Sequence, residues 1–367
     1  MTVSVKKIGI IGLGLIGGSI ARALKRSEKG YIIKAWDKDK KILDCAMSEK
    51  VIDECTLSVK GNFFECDVIF LCIPVFAMKD ILNDLLFSIS PDCILTDVGS
   101  TKSDVVATIN EMKVKNPFIG GHPLAGSEKS GFRASRANLF ENAYYCLTPE
   151  ENTDKDVLIK LRDIIDDLGA IPIEMTPMEH DRVTAAISHV PHIIAASLVN
   201  LIDELDSPDS VMKTISAGGF KDLTRIASAS PGLWAGICLS NKERILETIS
   251  AFKNGLERFE NDLRSNDRES VEKFFTSARE LRNSLSDRKS IFQKTYAIVV
   301  DVDDKPGIIA LISSALANKN INIKNIGILN SRETEEGALE IQFESEESRI
   351  QGLETLSRLG YGAKPKD

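Results

Sequence analysis

The sequence is poor in positive charge: 46 lysines and arginines stand against 54 acidic residues, for a net charge of −8. That deficit argues against a nucleic-acid partner, because phosphate contacts need a basic face. An anionic small molecule would have to find its counter-charges locally. Cysteine is sparse and unpatterned. The seven, at 45, 55, 66, 72, 93, 146 and 238, are odd in number, lie mostly in apolar stretches and form no Cys-x-x-Cys pair. They give neither a disulfide framework nor a zinc signature, and they favour a reducing, cytoplasmic setting. Outside the N-terminal stretch no uncharged apolar run is read as long enough to span a membrane, and the five glycines of that stretch weaken it as a helix. No membrane partner is expected. Repeats and low-complexity tracts are absent. The length suffices for about two or three domains, each with its own core.

The N-terminal stretch "KKIGIIGLGLIGGSIARAL", residues 6–24, reads in two ways. Two lysines, an apolar run and the triplet Ala21-x-Ala23 outline a secretory signal peptide. Gly12-x-Gly14-x-x-Gly17 outlines a dinucleotide-binding turn between a strand and a helix. In that turn Gly12 permits the tight bend, Gly14 lets the backbone approach a pyrophosphate, and Gly17 lets helix and strand pack closely. The helix N-terminus then receives the pyrophosphate. The next strand, "YIIKAWD", ends in Asp37, twenty residues after Gly17. A carboxylate there accepts hydrogen bonds from ribose hydroxyls and repels a 2′-phosphate. The pair of signals decides for the turn, with Gly12, Gly14, Leu15, Ile16, Gly17, Asp37 and Pro74 assigned to the cofactor. NAD is expected over NADP, although Lys38 leaves room for the latter.

Further strands at 66–74, 93–100, 118–123 and 143–149, with helical stretches between the earlier ones, predict a mostly parallel, doubly wound sheet of Rossmann type. Ligands collect at the carboxyl ends of such strands, where Pro74, Ser100 and His122 lie. Ser100 also precedes a helix that Thr101 and Asp104 can start as a capping box.

Only four histidines occur, at 122, 180, 189 and 192. Their confinement to one region suggests proton chemistry. His189 and His192, in "SHVPH", share a face if helical, and with His180 they admit a metal-site alternative, although hydride transfer needs no metal and none is expected. From about residue 180 the pattern becomes all-helical. One long helix is expected to be interrupted at Pro191, and a later stripe runs through Ile245, Leu246, Ile249, Phe252, Leu256, Phe259 and Leu263. That stripe suits a core or a dimer interface. Between these helices, "SAGGFKDLTR" offers Gly218 for close backbone approach and Lys221 and Arg225 as cations. Arg225 can clamp a carboxylate in a two-pronged hydrogen bond, or simply pair with a neighbouring acid.

Taken in order, "GLGLIGGS", "DVGSTK", "GGHPLAGSEKSGF", "HDRVTAAISHVPH" and "GGFKDLTRIA" resemble the prephenate and arogenate dehydrogenases, over residues 5 to about 285. The resemblance implies oxidative decarboxylation of prephenate to 4-hydroxyphenylpyruvate, with NAD taking the hydride. It implies a histidine on the ring hydroxyl, His122, with Ser100 beside it, an arginine on a substrate carboxylate, Arg225, and His192 and Glu128 in the pocket. Arogenate remains the rival substrate. A hydroxyacid or imine reductase on the same scaffold leaves "GGHPLAG" and "SHVPH" unexplained. A sensor that has lost its chemistry is the non-enzymatic alternative.

The last seventy residues read strand, helix, strand, strand, helix, strand, a ferredoxin-like α+β arrangement. Asp303 or Asp304 can cap the first helix, with Pro306 in its first turn. "DKPG" and "INIKNI" resemble ACT domains, which bind amino acids. The resemblance implies an effector, with tyrosine the natural candidate, held between paired domains near Asp304 and Gly307 and by Asn322 and Ile323. The expected organisation is a dinucleotide-binding domain at 1–172, a helical substrate and dimerisation domain at 173–288, and an ACT-like domain at 294–367. Residues 286–294 serve as linker and 150–156 as a loop. A homodimer is expected.

Overall fold

The structure, a computed structural model, describes residues 6–126, 129–206, 209–287, 296–303, 305–329 and 336–366. Two compact units divide at Asn261 and Asp262.

In the first unit, eight strands form one sheet: β1 (Lys7–Ile11), β2 (Ile32–Trp36), β3 (Glu54–Thr56), β4 (Val68–Leu71), β5 (Ile94–Asp97), β6 (Phe118–Pro123), β7 (Tyr144–Thr148) and β8 (Ile171–Glu174). Their spatial order is β3-β2-β1-β4-β5-β6-β7-β8. Strands β1 to β6 are parallel, β7 turns antiparallel to β6, and β8 is parallel to β7. The sequence pattern gives every strand except the short β3 and β8. Strands β4 and β5 are buried along their whole length, as expected where helices cover both faces.

The helices of this half are α1 (Leu15–Arg26), α2 (Lys40–Ser48), α3 (Met78–Leu85), α4 (Ser103–Glu111) and α5 (Lys155–Asp167). One core packs Ile8, Ile10, Ile20 and Leu24 with Phe70, Tyr145 and Leu161, and the other packs Ile11, Phe63 and Ile69 with Leu82, Leu85 and Val105. Apolar side chains thus alternate to opposite faces of each strand, and each face is sealed by its own helices.

A helical region follows: α6 (Pro177–Thr184), α7 (Val190–Leu205), α8 (Val211–Ile215), α9 (Gly218–Thr224), α10 (Pro231–Ser240) and α11 (Lys242–Arg264). Helices α6 and α7 are one continuous rod, Pro177–Leu205, joined by a π-helical turn at Ala185–His189. Pro191 therefore does not interrupt the helix. The wider turn just before it relaxes the demand for an ordinary i to i−4 hydrogen bond that a proline cannot donate. This rod also corrects the membrane reading. Residues 183–202 carry no charged side chain, so by length and composition the rod is a membrane-span candidate, with 22% of its apolar window buried. Only the start of the stripe on α11 is core, Ile245 with Ile249 packing against Ala185 and Val190, whereas Leu246, Phe252, Leu256 and Leu263 are exposed.

The second unit contains α12 (Arg268–Asp287) and a four-stranded antiparallel sheet of β9 (Tyr296–Asp303), β10 (Asn325–Leu329), β11 (Glu336–Phe343) and β12 (Gly362–Lys366), covered by α13 (Ile308–Ala317) and α14 (Glu346–Arg358). The order β10-β11-β9-β12 is the ferredoxin-like arrangement. Its core holds Ile298, Val300, Ile312, Leu316, Ile341 and Leu356. Helix α13 starts without a side-chain cap, from Gly307 at φ +91°, so Pro306 precedes the helix instead of opening it. Asp303 pairs with Lys305 at 3.0 Å, and Asp304 lies outside the described residues. Residues 288–294 of the expected linker also lie outside them.

Candidate active site

The turn from β1 to α1 is shaped by what its glycines exclude. Gly12 has φ +97°, where side chains are strained, and a Cβ there would fall 2.5 Å from the Cys72 carbonyl oxygen. A Cβ on Gly17 would fall 2.0 Å from the Gly12 carbonyl oxygen. At Gly14 a Cβ would meet nothing within 4 Å. Space therefore opens above the N-terminus of α1, which no side chain caps, so its backbone N–H groups are available to an anion. Leu15 and Ile16, the first residues of α1, are half-buried at that opening. Asp37 follows β2, and its Oδ2 accepts from the Leu13 N–H at 2.8 Å while Oδ1 accepts from the Asp39 N–H at 2.9 Å. Each oxygen retains a lone pair for a ribose hydroxyl. An open cradle, a bare helix terminus and a fixed carboxylate fit a dinucleotide. Pro74, past the end of β4, is exposed on the same side of the sheet.

His122 sits near the end of β6, half-buried. Its Nδ1 lies 2.8 Å from His180 Nε2, and His180 Nδ1 lies 2.9 Å from Asp181 Oδ1. Asp181 in turn accepts the backbone N–H groups of Lys102 at 2.7 Å and Ser103 at 2.8 Å. The start of α4 is thus capped from across the molecule by Asp181, and the Thr101–Asp104 capping box does not form. Thr101 Oγ1 instead meets Ser240 Oγ at 2.9 Å. The Lys102 side chain is fully buried and ion-paired with the equally buried Asp97, which also accepts the N–H groups of Gly99 and Gly121. That carboxylate fastens the end of β5 to the strand residue preceding His122.

Burial, and then the charges of His180, Lys102 and His189, hold the His122 pKa well below the usual histidine value. Burial likewise lowers His180, against the pull of Asp181. Burial alone would raise the Asp181 pKa, but hydrogen bonds from His180, Ser103 and Lys102 outweigh it and keep the carboxyl ionised. Both imidazoles are therefore neutral near pH 7, as proton acceptance requires.

The π turn accounts for the placement of the other histidines. In an unbroken α-helix, His180 and His189 would point to opposite sides; the extra turn residue rotates them toward a common side. His189 Nδ1 accepts from Asn241 Nδ2 at 3.1 Å, which fixes the proton on Nε2. That buried N–H makes no hydrogen bond of good geometry and has only a loose contact with the Ser100 main chain. An orphaned buried donor beside Ser100 suits a ligand oxygen. His192 donates from Nδ1 to the Ser188 carbonyl at 2.9 Å and stacks on Trp234 at 3.8 Å between centroids. Burial and then the charge of Arg225 lower the His192 pKa, so the cations of this corner are Arg225 and Lys221, both exposed. Gly218 begins α9, with open space where a Cβ would stand. Glu128 lies outside the described residues.

A chain of neighbours thus runs from His122, which contacts His180, through His189 beside the Ser100 main chain, to Trp234, His192 and Arg225. Sequence reasoning left Asp181, Lys102, Asp97, Asn241 and Trp234 unassigned and gave His180 and His189 only a metal-site alternative. A dinucleotide cradle and a neutral imidazole carried on strands of one sheet suit a dehydrogenase. Two family models match the chain: "Prephenate dehydrogenase, nucleotide-binding domain" over residues 20–174 and "Prephenate dehydrogenase, dimerization domain" over residues 176–277. The chain belongs to the prephenate dehydrogenase family. It is 39% identical to the prephenate dehydrogenase of Bacillus subtilis over 93% of this chain and 92% of that one. It is 36% identical to that of Lactococcus lactis over 96% and 98%. A crystal structure of prephenate dehydrogenase from Aquifex aeolicus, in complex with hydroxyphenyl propionate and NAD+, superposes with a TM-score of 0.74 at 32% identity, covering 78% of this chain and 100% of that one.

Proposed function

We propose that the protein oxidatively decarboxylates prephenate to 4-hydroxyphenylpyruvate with NAD as hydride acceptor. The observation that carries this reading is the neutral imidazole of His122 at the carboxyl end of the sheet that bears the dinucleotide cradle. Bound at that cradle, NAD would be held by the N-terminus of α1, Gly12, Gly14 and Asp37, and would supply the hydride-accepting ring. As hydride leaves C4 of the substrate, the ring hydroxyl becomes acidic and His122 Nε2 accepts its proton. Loss of carbon dioxide makes the ring aromatic, so no metal electron sink is needed. Ser100 stands beside the reacting hydroxyl, and Arg225, with Lys221, meets the carboxylates of the dianionic substrate. His192, Gly218 and, outside the described residues, Glu128 complete the pocket.

The three-domain organisation, 1–172, 173–288 and 294–367, belongs to the same proposal. The exposed stripe of α11 and the thinly buried Pro177–Leu205 rod support a homodimer that covers them. The seven unpaired thiols support work in the cytoplasm. The small C-terminal fold acts as an ACT-like regulatory domain that binds tyrosine. Within one chain Gly307 stands at the start of α13, and Asn322 and Ile323 follow its far end, so an effector touching both needs a second copy.

The test is formation of reduced nicotinamide by purified protein with prephenate or arogenate, NAD or NADP, with and without tyrosine. Turnover of prephenate with NAD, suppressed by tyrosine, is expected. Turnover of arogenate alone would overturn the substrate, and insensitivity to tyrosine would overturn the effector.

A further inference from the structure

We infer that Asp181, acting through His180, selects the tautomer of His122 and so presents a lone pair, not an N–H, to the substrate hydroxyl. The inference rests on the reading of His122 as the proton acceptor. The argument is one of donor and acceptor parity. Two backbone N–H groups, from Lys102 and Ser103, point at the two oxygens of Asp181 at 2.7 and 2.8 Å. A backbone N–H can only donate, so both oxygens act as acceptors, and these bonds with the one from His180 hold the carboxyl below its ordinary pKa against burial, so that the group is a carboxylate. His180 Nδ1, 2.9 Å from Oδ1, must then be the donor. A neutral imidazole protonated on Nδ1 carries its lone pair on Nε2, the atom 2.8 Å from His122 Nδ1. His122 must donate across that contact, which leaves its own Nε2 unprotonated. Nε2 takes no hydrogen bond from the described residues, and it is the nitrogen that can meet a ligand.

The surroundings leave Asp181 as the group that sets this order. The charged or titratable neighbours of the pair are Lys102 and Asp97 from the end of β5 and its following loop, Asp181 from α6, and His189 from the π turn. Lys102 and Asp97 are ion-paired with each other and hydrogen-bond neither imidazole. His189 is bound to Asn241 through Nδ1, and its Nε2–H makes no hydrogen bond to His122. Asp181, 1% exposed, is the charged group hydrogen-bonded to the pair, and His180, 0% exposed, is shielded from water that would scramble its protons.

The proton balance closes within these groups. The substrate O–H bond breaks and an N–H bond forms at His122 Nε2, while the hydride leaves separately. The imidazolium so formed donates from Nδ1 to His180, whose own Nδ1–H remains on the Asp181 carboxylate. His180 and Asp181 are positioning residues: they touch neither substrate nor cofactor.

Four histidines make the test direct. Full-length protein labelled with nitrogen-15 at histidine, with each signal assigned by single substitution, reports which ring nitrogen of His122 and of His180 is protonated, without any ligand. Both are expected to carry the proton on Nδ1 at neutral pH. Asp181→Asn is expected to populate the Nε2–H form of His122 and to lower kcat by at least ~10²-fold, a smaller loss than the ~10⁴-fold that follows replacement of a triad aspartate that touches the base directly. KM for prephenate should change much less, and Asp181→Glu should recover part of kcat. A wild-type His122 protonated on Nε2 would overturn the inference even if the variant failed to fold, as would an Asp181→Asn protein with wild-type tautomers and kcat. Wild-type protein that shows the expected tautomers yet does not oxidise prephenate would instead overturn the proposed function.

Discussion

Gly17 lies so close beneath Gly12 that a methyl group added to it would stand 2.0 Å from the Gly12 carbonyl oxygen. Backbone cannot yield there as a flexible side chain can. Gly17→Ala should therefore destabilise the protein by about 3 kcal/mol or more, measured by denaturant unfolding. Gly14→Ala is the contrast. Its added methyl meets no protein atom within 4 Å, and its φ of −76° is ordinary. Stability should stay within about 0.5 kcal/mol of wild type, while NAD affinity measured by titration falls.

The same turn shows what a sequence reveals well. A glycine spacing, a strand ending in an acid and a helix following are local features, and each survives into the structure because its physical cause is local. The ferredoxin-like order of the last seventy residues is legible for the same reason. The hydrogen-bonded chain His122–His180–Asp181 is not. Asp181 lies 78 residues from Ser103, whose N–H it accepts, and a distant carboxylate replaces the capping box that Thr101 and Asp104 offer on paper. Pro191 reads as a helix break because the π turn that accommodates it leaves no mark in residue spacing.

The depressed pKa of His122 fixes the sign of the pH dependence. The imidazole must be unprotonated to accept a proton, and burial with neighbouring positive charge moves its pKa well below 6.5. The fall in kcat/KM on the acid side should therefore be centred below 6.5, measured with prephenate at fixed saturating NAD. A fall centred at or above that value would place the essential base elsewhere.

Acid should also unfold the protein through its histidines. Burial and then His180 push the His189 pKa down to about 4 from 6.5. A folded-state value below the unfolded one means that stability is fully present above pH 6.5 and is lost as pH falls toward 4. The shift corresponds to roughly 3 kcal/mol for this group. Denaturant midpoints compared at pH 7 and pH 4.5 should separate less in His189→Gln than in wild type. Equal separation would show that His189 does not carry the effect.

Arg225→Ala should lower kcat/KM for prephenate by roughly 10- to 100-fold, chiefly through KM, because a charge-assisted bond to a carboxylate contributes about 1.5–3 kcal/mol. Arg225→Lys keeps the charge but not the two-pronged geometry, so it should recover only part of that loss. Steady-state kinetics on both variants, with unchanged NAD affinity as the control, decides the point.

The central claim, that a neutral His122 takes the hydroxyl proton as prephenate is oxidised, is tested most directly by the turnover of prephenate by His122→Asn with saturating NAD. The account predicts a fall in kcat of about 10²- to 10⁴-fold, with substrate and cofactor still bound. Turnover within a few-fold of wild type would contradict it.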